Sequence, residues 1–432
     1  MVYPQVWHLE RPAYIFGGGN TFPDKLRGLT KFAPVKFSRI RSPHCLFIFM
    51  EQDRERANKL YLALRNGIGS FAGCARLTGI TLEKSQAEKL LISTRPGKQA
   101  REHYDAIVHR LTRSPQVDFA FVIQSRNADH RDDPYGASKA ALLGAGVPSQ
   151  FVSYELLDAD QQFRYAMTNI ALSFFVKLGG IPWNVKAARG SASLVVGIGR
   201  AETRTEMGSS QLTGFAISVL SDGQYIATDY FPPAKSYADF IRVLEPALVS
   251  ALTDILARNS LDRLTIHVTR FERADLVHAV KRAVLTAQDR RGIYVPFEVV
   301  RISTDSDFTV LDLDHPGFVS GEGTVVNLRP ARALLVTEGR VEKAVWHGRK
   351  PITLELTREH KSEGDFDFGQ TIADAFALSS VNWRGFNAIT QPISLQYAHL
   401  LAEQIAKVAD FMPNLVGTVI QSGQLRDVPW FI

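Results

Sequence analysis

Apolar positions along the chain fall into two patterns, short continuous runs and repeats spaced three or four residues apart. Their alternation predicts strands interleaved with helices. Cys45–Met50, Phe119–Gln124 and residues 149–154 are runs of the length of buried strands. Between them, amphipathic repeats predict helices over about 52–66 and 99–112. Asp132-Asp133-Pro134 should open a third helix, with an aspartate cap and proline in the first turn, and Gly144 and Gly146 should end it. Residues 1–40 are rich in Gly and Pro, with short aromatic strands such as 13–16. They read as an N-terminal extension that packs on a domain elsewhere.

The stretch NIALSFFVKLGGIPW, residues 169–183, predicts a buried helix up to Leu178, ended by Gly179 and Gly180. Asn169, Ser173 and Lys177 lie four apart, so they stack as a polar line through an apolar helix. A lysine buried in that seam needs an anion to offset its desolvation. The same spacing also fits an amphipathic helix whose Lys177 is solvated near the C-terminus, where a cation is favoured.

After Pro182-Trp183 a second unit is expected. Strands at 193–198, 213–220 and 225–229 come first, with Ser221-Asp222-Gly223-Gln224 as a hairpin turn. A helix over Tyr237–Arg258, a strand at 263–268, a helix over 274–288 and a strand at 297–302 follow. Residues 305–356 are β-rich, and helices near 370–380 and 394–411 precede the ending QLRDVPWFI. The first unit has the layout of an open, Rossmann-like parallel sheet, and the second has the order of an RNase H-like domain. The fold class is therefore α/β, divided as 1–40, 41–182 and 183–432.

Composition narrows the function classes. At 432 residues, 45% hydrophobic and 22% charged, the chain is of ordinary globular make-up. Its apolar runs fall far short of the ~18 residues of a membrane span, no basic and apolar leader opens it, and a cytoplasmic location is expected. Cys45 and Cys74 are too few for a disulfide scaffold or a cysteine-based zinc site. A net charge of +6 suits a polyanionic partner bound in a shaped groove, since the basic residues form no tail.

Gly197-Ile198-Gly199 after a strand invites a dinucleotide-binding reading, but Glu202 stands where the third glycine belongs. Tyr135 and Lys139 share a helix face near its positive end, and Gln150 opens the next strand. With Lys177 they supply two cations, a hydroxyl and an amide, a set that can hold a terminal phosphate. Each alone equally suits a solvated face. The ending Val428-Pro429-Trp430-Phe431-Ile432 is too apolar to fray, which places the Ile432 carboxylate inside. Buried, it needs a cation, and a divalent ion shared with a phosphate would satisfy both anions. An apolar plug with its carboxylate at the rim is the alternative.

Taken together, GVPSQFVSYELL (146–157), NIALSFFVKLGGIPW, NWRGF (382–386), QPISLQYAHLLAE (391–403) and the terminal VPWFI resemble the MID and PIWI domains of Argonautes. The likeness is specifically to short prokaryotic Argonautes, the Piwi-like proteins lacking N and PAZ domains. It covers residues 135–432 in order. The resemblance implies a guide 5′-phosphate held by Tyr135, Lys139, Gln150 and Lys177, with Asn169 near the first guide nucleotides. It also implies a Mg²⁺ or Mn²⁺ ion on the Ile432 carboxylate. Ser173 stands where some relatives carry Gln.

Slicing Argonautes hold two metal ions with an Asp-Glu-Asp plus Asp/His set. This chain has Gly199 at the first Asp position, Thr269 in the region of the next, and His399 matching the last ligand. The resemblance therefore implies a catalytically inactive member, with Glu202 and Glu206 solvated rather than forming a substitute site. Such a protein would use a small guide, RNA or DNA, to recognise complementary single-stranded DNA. It would form one half of a prokaryotic defence pair, activating an APAZ-containing effector of SIR2, TIR or nuclease type as a heterodimer, with no membrane involved. The alternative is a metal-dependent, guide-directed endonuclease.

Overall fold

A computed structural model describes residues 4–95, 97–114, 116–125, 133–187, 193–204, 210–269, 274–315, 317–339, 351–364, 366–386, 391–409, 411 and 425–432. The expected α/β class holds. Its first half is built on a four-stranded parallel sheet in the order Ala87–Ile92, Cys45–Met50, Phe119–Gln124, Ser149–Ser153. The two central strands are buried at nearly every position, which is why their sequences run apolar without alternation. Phe174, on the helix Asp160–Lys177, meets Phe119 edge-on at 4.6 Å and so fastens that helix to the sheet. The edge strand Ala87–Ile92 escapes the sequence pattern because Glu88 and Lys89 interrupt its apolar residues.

The second half carries a nine-stranded sheet among the described residues. From edge to edge it runs Gln5–His8, Thr324–Arg329, Arg332–Glu338, Ile352–Lys361, Phe297–Ser303, Arg263–Thr269, Ser193–Arg204, Ser210–Leu220, Tyr225–Tyr230. Arg263–Thr269 lies parallel to both of its neighbours, and the other pairings are antiparallel. Helices Tyr237–Arg258 and Ala274–Arg291 cover one face. Phe368–Ser380 and Ile393–Val408 pack on the other.

Two differences from the sequence expectation bear on the site. The strand expected to stop at residue 198 continues to Arg204, in register with its neighbour so that Gly199 faces Phe215. No helix follows Gly199, which excludes the dinucleotide reading. The first 40 residues are also spread over both halves. Gln5–His8 forms an edge of the large sheet, while Tyr14–Ile15 pairs with Asn184–Val185 in the segment joining the halves. Helix Ile393–Val408 then reaches across to the first half. At Gly136, in the helix Pro134–Gly144, any Cβ would lie 2.3 Å from the Lys407 carbonyl oxygen. Only glycine permits that approach.

Candidate nucleic-acid interface

The seam between the halves holds a cavity of about 580 Å³ at the carboxyl end of Phe119–Gln124 and along the whole of Ser149–Ser153. Ligands of open parallel sheets collect at such strand ends. Tyr135, Lys139, Gln150, Asn169, Ser173, Lys177 and Ile432 all line it. The sequence placed these residues on two helices, one strand and the chain end, and the fold brings them to one wall.

Local rules explain each placement. Asp133 caps its helix by accepting from the Tyr135 backbone N–H at 2.9 Å, with Pro134 in the first turn, so the helix starts at the cavity. Asp132, the other acid expected at this start, lies outside the described residues. Tyr135 and Lys139 follow four residues apart on one face. Lys139 is buried; its Nζ donates to Ser149 Oγ at 3.2 Å and sits 5.4 Å from the centre of the Trp430 ring. Lys177, also buried, donates to the Ser149 carbonyl at 3.0 Å and to Gln150 Oε1 at 3.1 Å. Ser173 donates its hydroxyl to the Ile432 backbone oxygen at 3.3 Å, tying the polar line of its helix to the chain terminus.

Two buried lysine side chains thus share one cavity, whose wall also carries Asp133, Glu403 and the Ile432 carboxylate. Burial pushes Lys139 down to about 7. Burial, then Lys139 and Arg384, pushes Lys177 well below the usual lysine range. Both are held in hydrogen bonds to neutral oxygens, and a bound anion would offset their desolvation. The solvated Lys177 of the alternative reading is not what the structure shows.

The opposite wall comes from residues that the local sequence pattern could not assign. Arg384, Glu403, Gln404 and Lys407 line the cavity from the second half. Gln404 Oε1 accepts from the Tyr135 hydroxyl at 2.7 Å, and Lys407 Nζ lies 5.3 Å from the centre of the Tyr135 ring. Burial pushes the Tyr135 hydroxyl up to about 12, so it stays a neutral donor and acceptor at ordinary pH. Gln124, at the end of its strand, lines the same space with its buried Oε1 unpaired among the described residues.

No cluster of three or more His, Cys, Asp or Glu that could hold a metal occurs among the described residues. Asp133, Glu403 and the Ile432 carboxylate bring hard oxygen donors to the cavity wall, and Gln150 Oε1 is already taken by Lys177. A divalent ion fits here only if an anionic ligand supplies further oxygens, the manner in which Mg²⁺ commonly joins one carboxylate to a phosphate. Bound so, it would neutralise charge between the two anions.

A second cavity, about 820 Å³, lies along the large sheet and is lined by Gly199, Arg200, Thr269, Asp305, Gln396 and His399, among others. His399 is exposed and pairs with Glu403 at 3.2 Å. Glu202 is exposed, and Glu206 lies outside the described residues. Any Cβ at Gly199 would lie 2.4 Å from the Phe215 ring and 2.9 Å from the Ala398 Cβ. A side chain at this position requires Phe215 and Ala398 to move.

The family model of the Piwi domain matches residues 118–267, across the junction of the two halves. This chain carries a Piwi domain. A "Piwi protein" of Archaeoglobus fulgidus is 24% identical over 324 residues, covering 69% of this chain and 71% of that one. Among solved structures, Clostridium butyricum Argonaute bound to a guide DNA and a 19-mer target DNA superposes with a TM-score of 0.70 at 17% identity, covering 94% of this chain. Drosophila Piwi gives 0.71 at 14% identity and 99% coverage. The chain spans about half the length of these two, 53% and 56%. The fold is therefore that of the MID and PIWI halves of Argonautes. No helix among the described residues is long and apolar enough to cross a membrane.

The lysines make the Piwi-type cavity sensitive to pH. A terminal phosphate is already dianionic above about pH 6.5, whereas Lys139 ionises near 7 when the cavity is empty. Anion binding raises the lysine pKa, so above that point binding takes up a proton. Affinity for a terminal phosphate should fall as pH rises, by up to about tenfold per pH unit for each proton taken up. Titration of a 5′-phosphorylated oligonucleotide from about pH 7 to 9 checks this, and a flat dissociation constant would refute it.

Proposed function

We propose that the protein is a guide-strand-binding Argonaute that recognises complementary single-stranded DNA without cutting it. The observation that carries the reading is the pair of buried lysines, hydrogen-bonded to the neutral oxygens of Ser149 and Gln150, in a cavity closed by the last residues of the chain. Lys139 and Lys177 would take the charge of a guide 5′-phosphate. Tyr135 and Gln150 would fix its geometry, and the Ile432 carboxylate would share a Mg²⁺ or Mn²⁺ ion with it. Asn169, nearer the Gly385 side of the cavity, would meet the first nucleotides. The guide, RNA in our reading, would expose its bases to the target while the protein holds the backbone.

Inactivity as a slicer rests on the second cavity. Gly199 and Thr269 bring no carboxylate, and His399 with the single carboxylate of Asp305 would be too few ligands for two hard cations. With cleavage absent, target recognition must act through another protein. An APAZ-containing effector of SIR2, TIR or nuclease type, switched on by the paired duplex in defence against invading DNA, is the partner we propose.

The test is retention of labelled single-stranded DNA on protein loaded with a 5′-phosphorylated RNA. Complementary DNA should be retained and recovered at full length after hours in Mg²⁺ or Mn²⁺. Discrete cut products at a fixed position, or equal retention of unrelated DNA, would overturn the reading.

A further inference from the structure

The phosphate cavity is closed by the last residues of the chain, and something must hold them there. Arg426, six residues before the end, extends Nη2 to Asp229 Oδ1 at 2.7 Å. Its backbone carbonyl accepts from the Thr228 N–H at 3.2 Å and from the Tyr225 hydroxyl at 3.1 Å. Tyr225, Thr228 and Asp229 all belong to the edge strand Tyr225–Tyr230. Beyond this clamp the tail turns inward. Phe431 packs edge-on against Tyr225 at 6.4 Å and Tyr397 at 5.7 Å, and Trp430 lies over the Lys139 ammonium.

The ion pair is a poor stabiliser on its own terms. Asp229 Oδ2 and Arg426 Nε are buried without a hydrogen bond among the described residues, so the pair is monodentate and its desolvation is only partly offset. What it does fix is register. With Arg426 anchored by side chain and backbone, the six residues that follow have little freedom in where they put the carboxylate and the Trp430 ring.

We propose that Arg426 and Asp229 form a latch that positions the C-terminal tail, and through it the terminal carboxylate and Trp430, at the guide-phosphate cavity. The inference rests on the phosphate reading above. Asp229 and Arg426 touch no ligand and act as positioning residues.

The experiment compares wild type, Asp229→Ala, Arg426→Gln and a deletion of Ile432, each with 5′-phosphorylated and 5′-hydroxyl RNA, in Mg²⁺ and in EDTA. Loss of the latch should weaken the phosphorylated form in Mg²⁺ about fivefold or more and leave the hydroxyl form unchanged. The latch and Ile432 changes should be less than additive when combined, because they act through one group. Thermal melting without RNA identifies a variant that has unfolded, and the other latch variant then carries the test. A folded Asp229→Ala or Arg426→Gln protein with the wild-type preference for phosphate would overturn the latch. Wild type without that preference would instead remove the phosphate reading itself.

Discussion

Replacing Lys177 with methionine should weaken binding of a 5′-phosphorylated guide by about 2–5 kcal/mol, roughly thirtyfold to several-thousandfold, and leave a 5′-hydroxyl guide almost unaffected. Methionine keeps an unbranched side chain nearly as long at this buried position, so most of the packing is retained. What disappears is a buried ammonium donating at 3.0–3.1 Å to the Ser149 carbonyl and Gln150 Oε1, which are oriented around it. Ligand-free stability should not fall by a comparable amount. Lys177 is disfavoured in the empty cavity by burial and by Lys139 and Arg384, and removing it relieves that cost even as two hydrogen bonds are lost. Parallel melting and binding measurements check this. A Lys177→Met protein that melts normally and still prefers the phosphorylated guide would contradict the assignment.

The second large effect concerns Gly199. Restoring the carboxylate of an active slicer by Gly199→Asp should yield no cleavage and should destabilise the protein by about 1–3 kcal/mol, from overpacking. The new Cβ would meet Phe215 at 2.4 Å and Ala398 at 2.9 Å, and both belong to packed elements, the adjacent strand and the helix Ile393–Val408. The groove is thus shaped around the absence of the side chain. Thermal melting and incubation with a guided, labelled target in Mn²⁺ are the measurements. Cleavage by this variant would mean that the groove is a dormant active site.

Much of this was legible in the sequence because local rules dominate where chain and site coincide. Cys45–Met50 and Phe119–Gln124 are apolar without interruption, and they are the central strands. The 134 and 169 segments carried both their caps and their polar lines, and those lines are the cavity wall. What sequence periodicity cannot show is which faces meet. Gln5–His8 pairs with Thr324–Arg329, a partnership more than three hundred residues apart. Gln404 and Lys407 read simply as the polar face of a helix, and nothing local says that this face covers Tyr135. Arg426 and Asp229 are likewise ordinary surface types until the fold joins them. The terminal VPWFI signalled burial, but its anchor lay two hundred residues upstream.

The most direct measurement is the dissociation constant of a ~20-nucleotide RNA with a 5′-phosphate against the same RNA with a 5′-hydroxyl, each in Mg²⁺ and in EDTA. Two buried lysines and a terminal carboxylate around one cavity predict that the phosphorylated form binds at least about tenfold tighter, about 1.4 kcal/mol or more, and that chelation removes most of the difference. Equal affinity of the two forms, both weakening together with salt, would mean only general attraction to the nucleic-acid backbone. The role given to Tyr135, Lys139, Gln150, Lys177 and Ile432 would then be wrong.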